Sequence, residues 1–406
     1  MPINLEIPKK LEAFAQQAHD VAEHVFRPIS RKYDRAEHQY AVELDMLAKV
    51  MDGMREGAGH GVNGVGRAKH HGQTNGAARE VRNGSNMAAV LGMTELCWGD
   101  VGLALTIPRQ GLGNAAIAAV ASEEQLERFK GRWAAMAITE PEAGSDSANI
   151  KTTAQLDGDH YVINGEKIFV TCGERADAIV VWATLDKSKG RAAIKPFVVE
   201  KGTPGLEVVR LDKKLGIRAS DTATIRLSDC RVPRENLLGN PDISVERGFA
   251  GVMKTFDNTR PIVAAMSLGV ARAALERTRE LLAHEGILAD YNRSFYRAPA
   301  AEAELYRMEA ELEAARLLTL KAAWMADNAL PNSKEASMAK AKAGRVGNAI
   351  TLRCVELCAG AGYGETELLE KWARDSKILD IFEGTQQIQL LIVARRLLGK
   401  SSDQLK

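Results

Sequence analysis

"TAQLDGDHYVINGEKIFVT", residues 153–171, is where the chain changes its period. Apolar and polar residues alternate on either side of Asp157-Gly158 and Asn164-Gly165, two dipeptides that favour the tight turns of β-hairpins. Further β-type runs follow at "DAIVVWATL" (177–185), "IKPFVVEKG" (194–202), "LEVVRL" (206–211) and "TATIRLSDCRVP" (222–233). Several short strands with turns between them predict a small barrel or sandwich.

Outward from this block, both flanks read as helix. On the N-terminal side, "LEAFAQQAHDVAEHVFRPI" (11–29) places Leu11, Phe14, Ala18, Val21, Val25 and Phe26 close to a 3.6-residue period, and "EEQLERFKGRW" (123–133) is a shorter helical signal. Between them, "EGAGHGVNGVGRAKHHGQTNGAA" (56–78) has too few apolar residues to pack, which predicts a mobile loop over 53–84. Gly59, Gly61 and Gly64 spell G-x-G-x-x-G there, but that fingerprint carries a pyrophosphate only between a strand and a helix start. The preceding "LDMLAKVMDGM" (44–54) reads as helix and no βαβ pattern follows, so no dinucleotide site is assigned.

On the C-terminal side three long helical runs begin at "PIVAAMSLGVARAALERTRELLAH" (261–284), "AEAELYRMEAELEAARLLTLKAAWMADNAL" (301–330) and "SKEASMAKAKAGRVGNAITLRCVELCAG" (333–360). Pro261 suits a first helical position, with Asn258 or Thr259 as its cap. Two more helices, "TELLEKWARDSKILD" (366–380) and "QQIQLLIVARRLLG" (386–399), are separated by "IFEGT" (381–385), with Thr385 placed to cap the second. The gap leaves one acid, Glu383, behind Ile381 and Phe382, a setting that excludes water and raises a carboxylate's pKa towards neutrality. Taken by itself, such an acid also suits the positive end of the following helix.

The predicted fold class is therefore α+β and multidomain. It has an N-terminal helical domain over 1–133, a middle β-barrel or sandwich domain over 134–243 and a C-terminal four-helix-bundle-like domain over 244–406.

Lys and Arg total 54 against 53 for Asp and Glu across 406 residues, so no global field attracts nucleic acid or an anionic membrane. The opening "MPINLEIPKKLEAF" lacks the apolar core of a secretory signal, and no run approaches the ~20 apolar residues that span a bilayer. The five cysteines (97, 172, 230, 354, 358) never form C-x-x-C, which predicts free thiols, a reducing cytoplasm and no metal site.

Five motifs in order carry a family resemblance. "AITEPEAGSD" (137–146), "GEKIFVT" (165–171), "LGIRASDTATIRLSDCRVPRENLLG" (215–239), "FDNTRP" (256–261) and "AGAGYGETELLEKWARDSKILDIFEGTQQIQ" (359–389) resemble those of the acyl-CoA dehydrogenases. The resemblance runs from about residue 8 to 400 and is strongest from 134 onwards. It implies the acyl-CoA dehydrogenase fold, bound FAD, and oxidation of an acyl-CoA thioester to the 2-enoyl-CoA. It also implies a tetramer and onward electron transfer to electron-transfer flavoprotein. Such chemistry needs a base for the α-proton, a hydride acceptor on the opposite face, and donors for the developing enolate-like oxygen.

Carried over residue by residue, the resemblance makes Glu383 the base, with its own backbone N–H donating to the thioester oxygen. Met136, Ile138, Thr139 and Ser145 would surround the flavin ring and pyrophosphate. Thr171 would reach the flavin N5 and Phe169 would cover the ring. Thr385, Gln386 and Gln387 would meet the cofactor's other end. Ser145, Asp257, Arg260 and Gly384 would contact the acyl-CoA, Arg260 either through the ligand or by holding Glu383.

Three departures stand out. Where the family carries an arginine followed by Phe-Gly, aimed at a neighbouring subunit's FAD, this chain has "LLAHEGILADYNRSFYRAPAAE" (281–302), with Glu285 near the expected place. Where it carries Gln-x-x-Gly-Gly, this chain has "ELCAG" (356–360), and an acid facing a pyrophosphate is repulsive. The family's Glu-x-x-Gly-Gly loop is replaced by the Gly/His-rich stretch. The first two losses imply a heteromer in which a related chain supplies the missing donors; the simpler alternative has Arg293 or Arg297 substituting within a homo-oligomer. Two other functions compete: an oxygen-using acyl-CoA oxidase relative, and a non-catalytic partner subunit. Retention of Glu383 and Thr171 speaks against the latter.

Overall fold

The computed structural model describes residues 6–49, 84–109, 111–243, 250–401 and 404, without the side chains of 250–258. Helices come first. α1 (Lys9–Val21) continues through a π-helical segment, Ala22–Phe26, into α2 (Arg27–Ala36). After α3 (43–49) come α4 (Ser85–Gly99), α5 (Val101–Ala104), α6 (Leu112–Val120) and α7 (Glu123–Arg128). α7 opens with a capping box in which Ser122 and Gln125 satisfy each other's backbone N–H groups. The predicted loop over 53–84 and the G-x-G-x-x-G at 59–64 fall almost wholly outside the described residues.

Seven strands follow among the described residues: β1 (Ala134–Ala137), β2 (Thr153–Asp157), β3 (His160–Thr171), β4 (Ala178–Thr184), β5 (Ile194–Glu200), β6 (Leu206–Leu211) and β7 (Thr222–Pro233). They form one curled sheet in the order β1-β4-β2-β3-β7-β6, with β5 also paired to β4. Among the described residues β1 pairs with β4 alone, in parallel, and on its other side the Ala134 N–H donates to Asn114 Oδ1 of α6 at 3.0 Å. Asp157-Gly158 makes the expected turn between β2 and β3, but Asn164-Gly165 does not. It lies inside β3, at a register shift against β7. Gly165 has φ +155°, and a Cβ there would strike Thr152, so the glycine allows close approach of two backbones rather than a reversal.

The C-terminal part comprises α8 (Ala250–His284), α9 (Ala300–Asp327), α10 (Ser333–Leu357), α11 (Ala359–Tyr363), α12 (Leu369–Ser376) and α13 (Gln386–Leu398). Pro261 does not begin α8; the helix starts at Ala250 and carries the proline inside, so Thr259 is freed from capping. The ring removes one backbone donor, a cost that a helix of this length and burial tolerates. The run predicted as one helix over 366–380 is a short 3₁₀ turn, then α12, then a second 3₁₀ turn at Lys377–Asp380. Leu368, left-handed at φ 59°, breaks the continuity.

The helices at both ends of the chain share one core. Phe26, Leu44, Met87, Leu103, Val270, Leu305, Trp324, Ile350, Trp372 and Leu379 all belong to it. The sheet keeps its own, around Tyr161, Ile163, Phe197 and Ile225. A buried charge cluster ties the helices to the loop that leads into β7. Lys371 on α12 donates to Asp100 at 2.7 Å and to Asp375 at 2.5 Å, while Asp375 accepts from the Ile217 backbone N–H at 2.5 Å in the loop before β7. Asp100 also caps α5 and accepts from Ser30.

Candidate active site

Glu383 sits in the five-residue break between the Lys377–Asp380 turn and α13, with φ 56°, a left-handed backbone unusual for a non-glycine residue. Gly384 follows at φ 89°. Two consecutive positive-φ residues reverse the chain, and three groups hold the reversal. Thr385 Oγ1 caps α13 by accepting from the Ile388 N–H at 3.3 Å. Gln389, wholly buried one turn into α13, donates Nε2 to the carbonyls of Glu383 (3.1 Å) and Gly384 (3.2 Å). Lys340 Nζ, from α10, donates to the Gly384 carbonyl at 2.7 Å.

The half-buried carboxylate of Glu383 accepts from Thr259 Oγ1 at 2.9 Å. Burial lifts it above the ordinary glutamate range; the Thr259 hydrogen bond and the charges of Arg260 and Lys340 pull the other way without cancelling the lift. Arg260 is buried next to Thr259 on α8. Lys340 itself is pushed down to about 8 by burial, with Asp380 and Glu383 supporting its charge and Arg260 opposing it. The Glu383 N–H makes no hydrogen bond among the described residues.

The second group lies on β1 and β3. Met136 is the third residue of β1, and Ile138 and Thr139 leave it as the chain turns towards Ser145. β3 lies alongside, its Ile168 N–H donating to the Thr139 carbonyl at 2.9 Å. A buried ion pair braces this corner. Glu140 accepts from Lys167 Nζ (2.7 Å), the Thr152 hydroxyl (2.5 Å) and the N–H groups of Lys151 (2.5 Å) and Thr152 (2.9 Å). Lys167 also donates to the Ile138 carbonyl at 3.1 Å. Phe169 has φ 58° and is 63% exposed, so it is a presented aromatic face rather than a strand core residue. Thr139 and Thr171 are half-buried and Ser145 exposed, and none of the three hydroxyls is engaged by a described residue.

No hydrogen bond joins the two groups directly among the described residues. They are registered through the N-terminal helices: Cys172, next to Thr171, lies with Sγ 3.6 Å from the Leu105 carbonyl, just beyond α5. The Asp100 cap of α5 is bound to Lys371, twelve residues before Glu383. Gln386 and Gln387 open α13, half-buried and exposed respectively. The Asp257 side chain lies outside the described set.

Two domains of a single family match this chain: "Acyl-CoA dehydrogenase, middle domain" over residues 135–230 and "Acyl-CoA dehydrogenase, C-terminal domain" over 246–398. The short-chain specific acyl-CoA dehydrogenase of Clostridium acetobutylicum is 32% identical over 401 residues, spanning 97% of this chain and all of the relative. The chain belongs to the acyl-CoA dehydrogenase family. Butyryl-CoA dehydrogenase from Megasphaera elsdenii has the same fold, with a TM-score of 0.81, 30% identity and coverage of 98% and 100% of the two chains. A chain in the structure reported for the electron transferring flavoprotein of Acidaminococcus fermentans matches with the same values.

This acyl-CoA dehydrogenase family member is accordingly an oxidoreductase, and its cofactor is FAD. Its own residues fit a flavin. Three hydroxyls with no partner among the described residues and a presented phenyl ring offer neutral hydrogen bonds and a stacking face without adding charge. No role was foreseen from sequence for Gln389, Glu140 or Lys167, although each lies within one of the five motifs, nor for Lys340, which lies outside them. Lys340 did leave a signal: it falls on the stripe of Ala336, Ala339, Ala343 and Gly347, which α10 buries.

Proposed function

We propose that this chain catalyses the α,β-desaturation of an acyl-CoA thioester, with Glu383 as the base. The bond changes balance as follows. The Cα–H bond breaks and its proton goes to Glu383; the Cβ–H bond breaks as a hydride; the electron pair left on Cα forms the double bond of the 2-enoyl-CoA. Bound FAD supplies the two-electron acceptor for that hydride at N5. Everything else is work for the protein. The raised carboxylate is a stronger base than a solvated glutamate, and the unengaged Glu383 N–H is available to the thioester oxygen as charge builds on it.

In this reading Met136, Ile138, Thr139 and Ser145 line the flavin, Phe169 and Thr171 lie at its ring and N5, and Thr385, Gln386 and Gln387 meet its far end. Ser145, Asp257, Arg260 and Gly384 take the acyl-CoA. The observation that carries the proposal is the strained Glu383–Gly384 reversal, which commits α8, α10 and α13 to presenting one carboxylate. Glu383→Gln should keep flavin and ligand binding and lose turnover; full activity in that variant would overturn the assignment.

Electrons then pass to electron-transfer flavoprotein in the cytoplasm, a reading supported by the family and by the Acidaminococcus fermentans match. We also infer a tetramer completed by a related chain. Glu356, paired to Arg353 at 2.6 Å, is a carboxylate and cannot donate to a neighbour's FAD, and Arg293 is engaged by Glu302 at 3.1 Å, which leaves exposed Arg297 as the replacement donor a homo-oligomer would need. Expression of this chain alone as a stable, flavin-replete homotetramer would refute the heteromer.

A further inference from the structure

We propose that Lys340 is the positioning residue for the base: from α10 it pins the Glu383–Gly384 reversal and holds a positive charge at the carbonyl of the residue next to the base. The inference rests on Glu383 acting as base. Lys340 is 1% exposed, and a lysine that far from water needs a partner commensurate with its charge. Its one hydrogen bond among the described residues is to a main-chain carbonyl, that of Gly384 at 2.7 Å, which Gln389 Nε2 already serves at 3.2 Å. As a turn fastener Lys340 is therefore duplicated by a neutral residue. What Gln389 does not duplicate is charge.

The charged groups around this point come from each packed element. α8 contributes Arg260, the turn after α12 contributes Asp380, α10 contributes Lys340, and the break before α13 contributes Glu383. Within that set Lys340 favours the ionised form of Glu383, together with Arg260. The base is consequently held between two opposing influences: burial makes it strong, and the nearby cations keep enough of it ionised to act. Lys340 does this without touching the substrate.

The test follows proton removal by itself, using 3-thiabutanoyl-CoA and 3-thiaoctanoyl-CoA. Sulfur replaces the β-carbon in these thioesters, so no hydride can leave. Exchange of the α-protons in D2O is followed by NMR against pH in the holoprotein, with whichever of the two the unmodified protein exchanges faster. Lys340→Met should move the acid limb of the exchange profile to higher pH by at least about half a unit. Lys340→Arg should return it towards the original position. Gln389→Leu, which loosens the same turn without altering charge, should lower the plateau and leave the limb in place. An unmoved limb in Lys340→Met, with the same melting temperature as the parent, would overturn the proposal. So would a limb moved equally by Gln389→Leu. Persistence of exchange in Glu383→Gln would instead remove the base assignment itself, so the two failures are distinguishable.

Discussion

The Thr259 hydroxyl donates to the Glu383 carboxylate, Oγ1 to Oε2, over 2.9 Å and across 124 residues of sequence. A hydrogen bond to the ionised form lowers a carboxylate's pKa, so this contact opposes the lift that burial produces. Thr259→Val should therefore raise the pKa of Glu383 further. Because the base acts when deprotonated, the acid limb of kcat/KM moves to higher pH, and activity on the acid side of the parent's limb falls about tenfold, the worth of a hydrogen bond to a charged group. Activity well above the limb should change little. A pH profile of kcat/KM that superimposes on the parent's would contradict this role.

Gly384 is the second half of the reversal, at φ 89°, and an added Cβ would run into Gln389 Nε2. Gly384→Ala incurs both the backbone strain and the displacement of the amide that holds the turn. A loss of about 1–3 kcal/mol in stability is expected. The larger effect is on turnover, because the Glu383 N–H and carboxylate are aimed by the same two residues. Denaturant melts and steady-state kinetics of the variant check both parts, and normal kcat would show that the turn is not critical.

Glu140 and Lys167 form a buried pair behind the β1–β3 corner. Burial raises Glu140 but its partners outweigh it and hold it low; burial pushes Lys167 down to about 8. Glu140→Gln strands the ammonium, at a cost of about 3–5 kcal/mol at pH 7. A lysine whose folded pKa is depressed binds fewer protons folded than unfolded, so stability rises with pH towards the unfolded value. The variant should therefore be less handicapped at pH 9 than at pH 7, and should release flavin more readily at pH 7. Equal destabilisation at both pH values would argue against a stranded charge.

Lys371 is the cation shared by two buried carboxylates, Asp100 and Asp375; burial raises the Asp375 carboxyl and Lys371 pulls it back down. Lys371→Met leaves both without their cation, and about 3–5 kcal/mol of stability should be lost. Since Asp375 also anchors Ile217 ahead of β7, the change should be cooperative across the helices and the sheet. Two resolved unfolding transitions in calorimetry would show that this cluster does not couple them.

The order of helix, sheet and helix was legible because hydrophobic period survives in sequence: every strand run named between 153 and 233 is a strand. Local punctuation was less legible. Asn164-Gly165 has the composition of a turn, yet long-range pairing of β3 with β7 turns it into a bulge, with close approach to Thr152 as the reason for glycine. Pro261 looks like a helix start, but α8 is long and packed enough to carry it. At the site, Glu383, Thr385 and Phe169 could be singled out because a motif surrounds them. Lys340, Gln389 and Thr259's contact with the carboxylate arise from three helices meeting, a relation no single stretch of sequence records.

The most direct measurement is the anaerobic visible spectrum of the flavin-loaded protein, before and after short-, medium- and long-chain saturated acyl-CoAs, for the parent and for Glu383→Gln. The parent's flavin band should bleach with at least one of them. Glu383→Gln should keep the band, show the same ligand-induced change in its shape, and fail to bleach. Bleaching of Glu383→Gln at the parent's rate would contradict the assignment of Glu383 as the base.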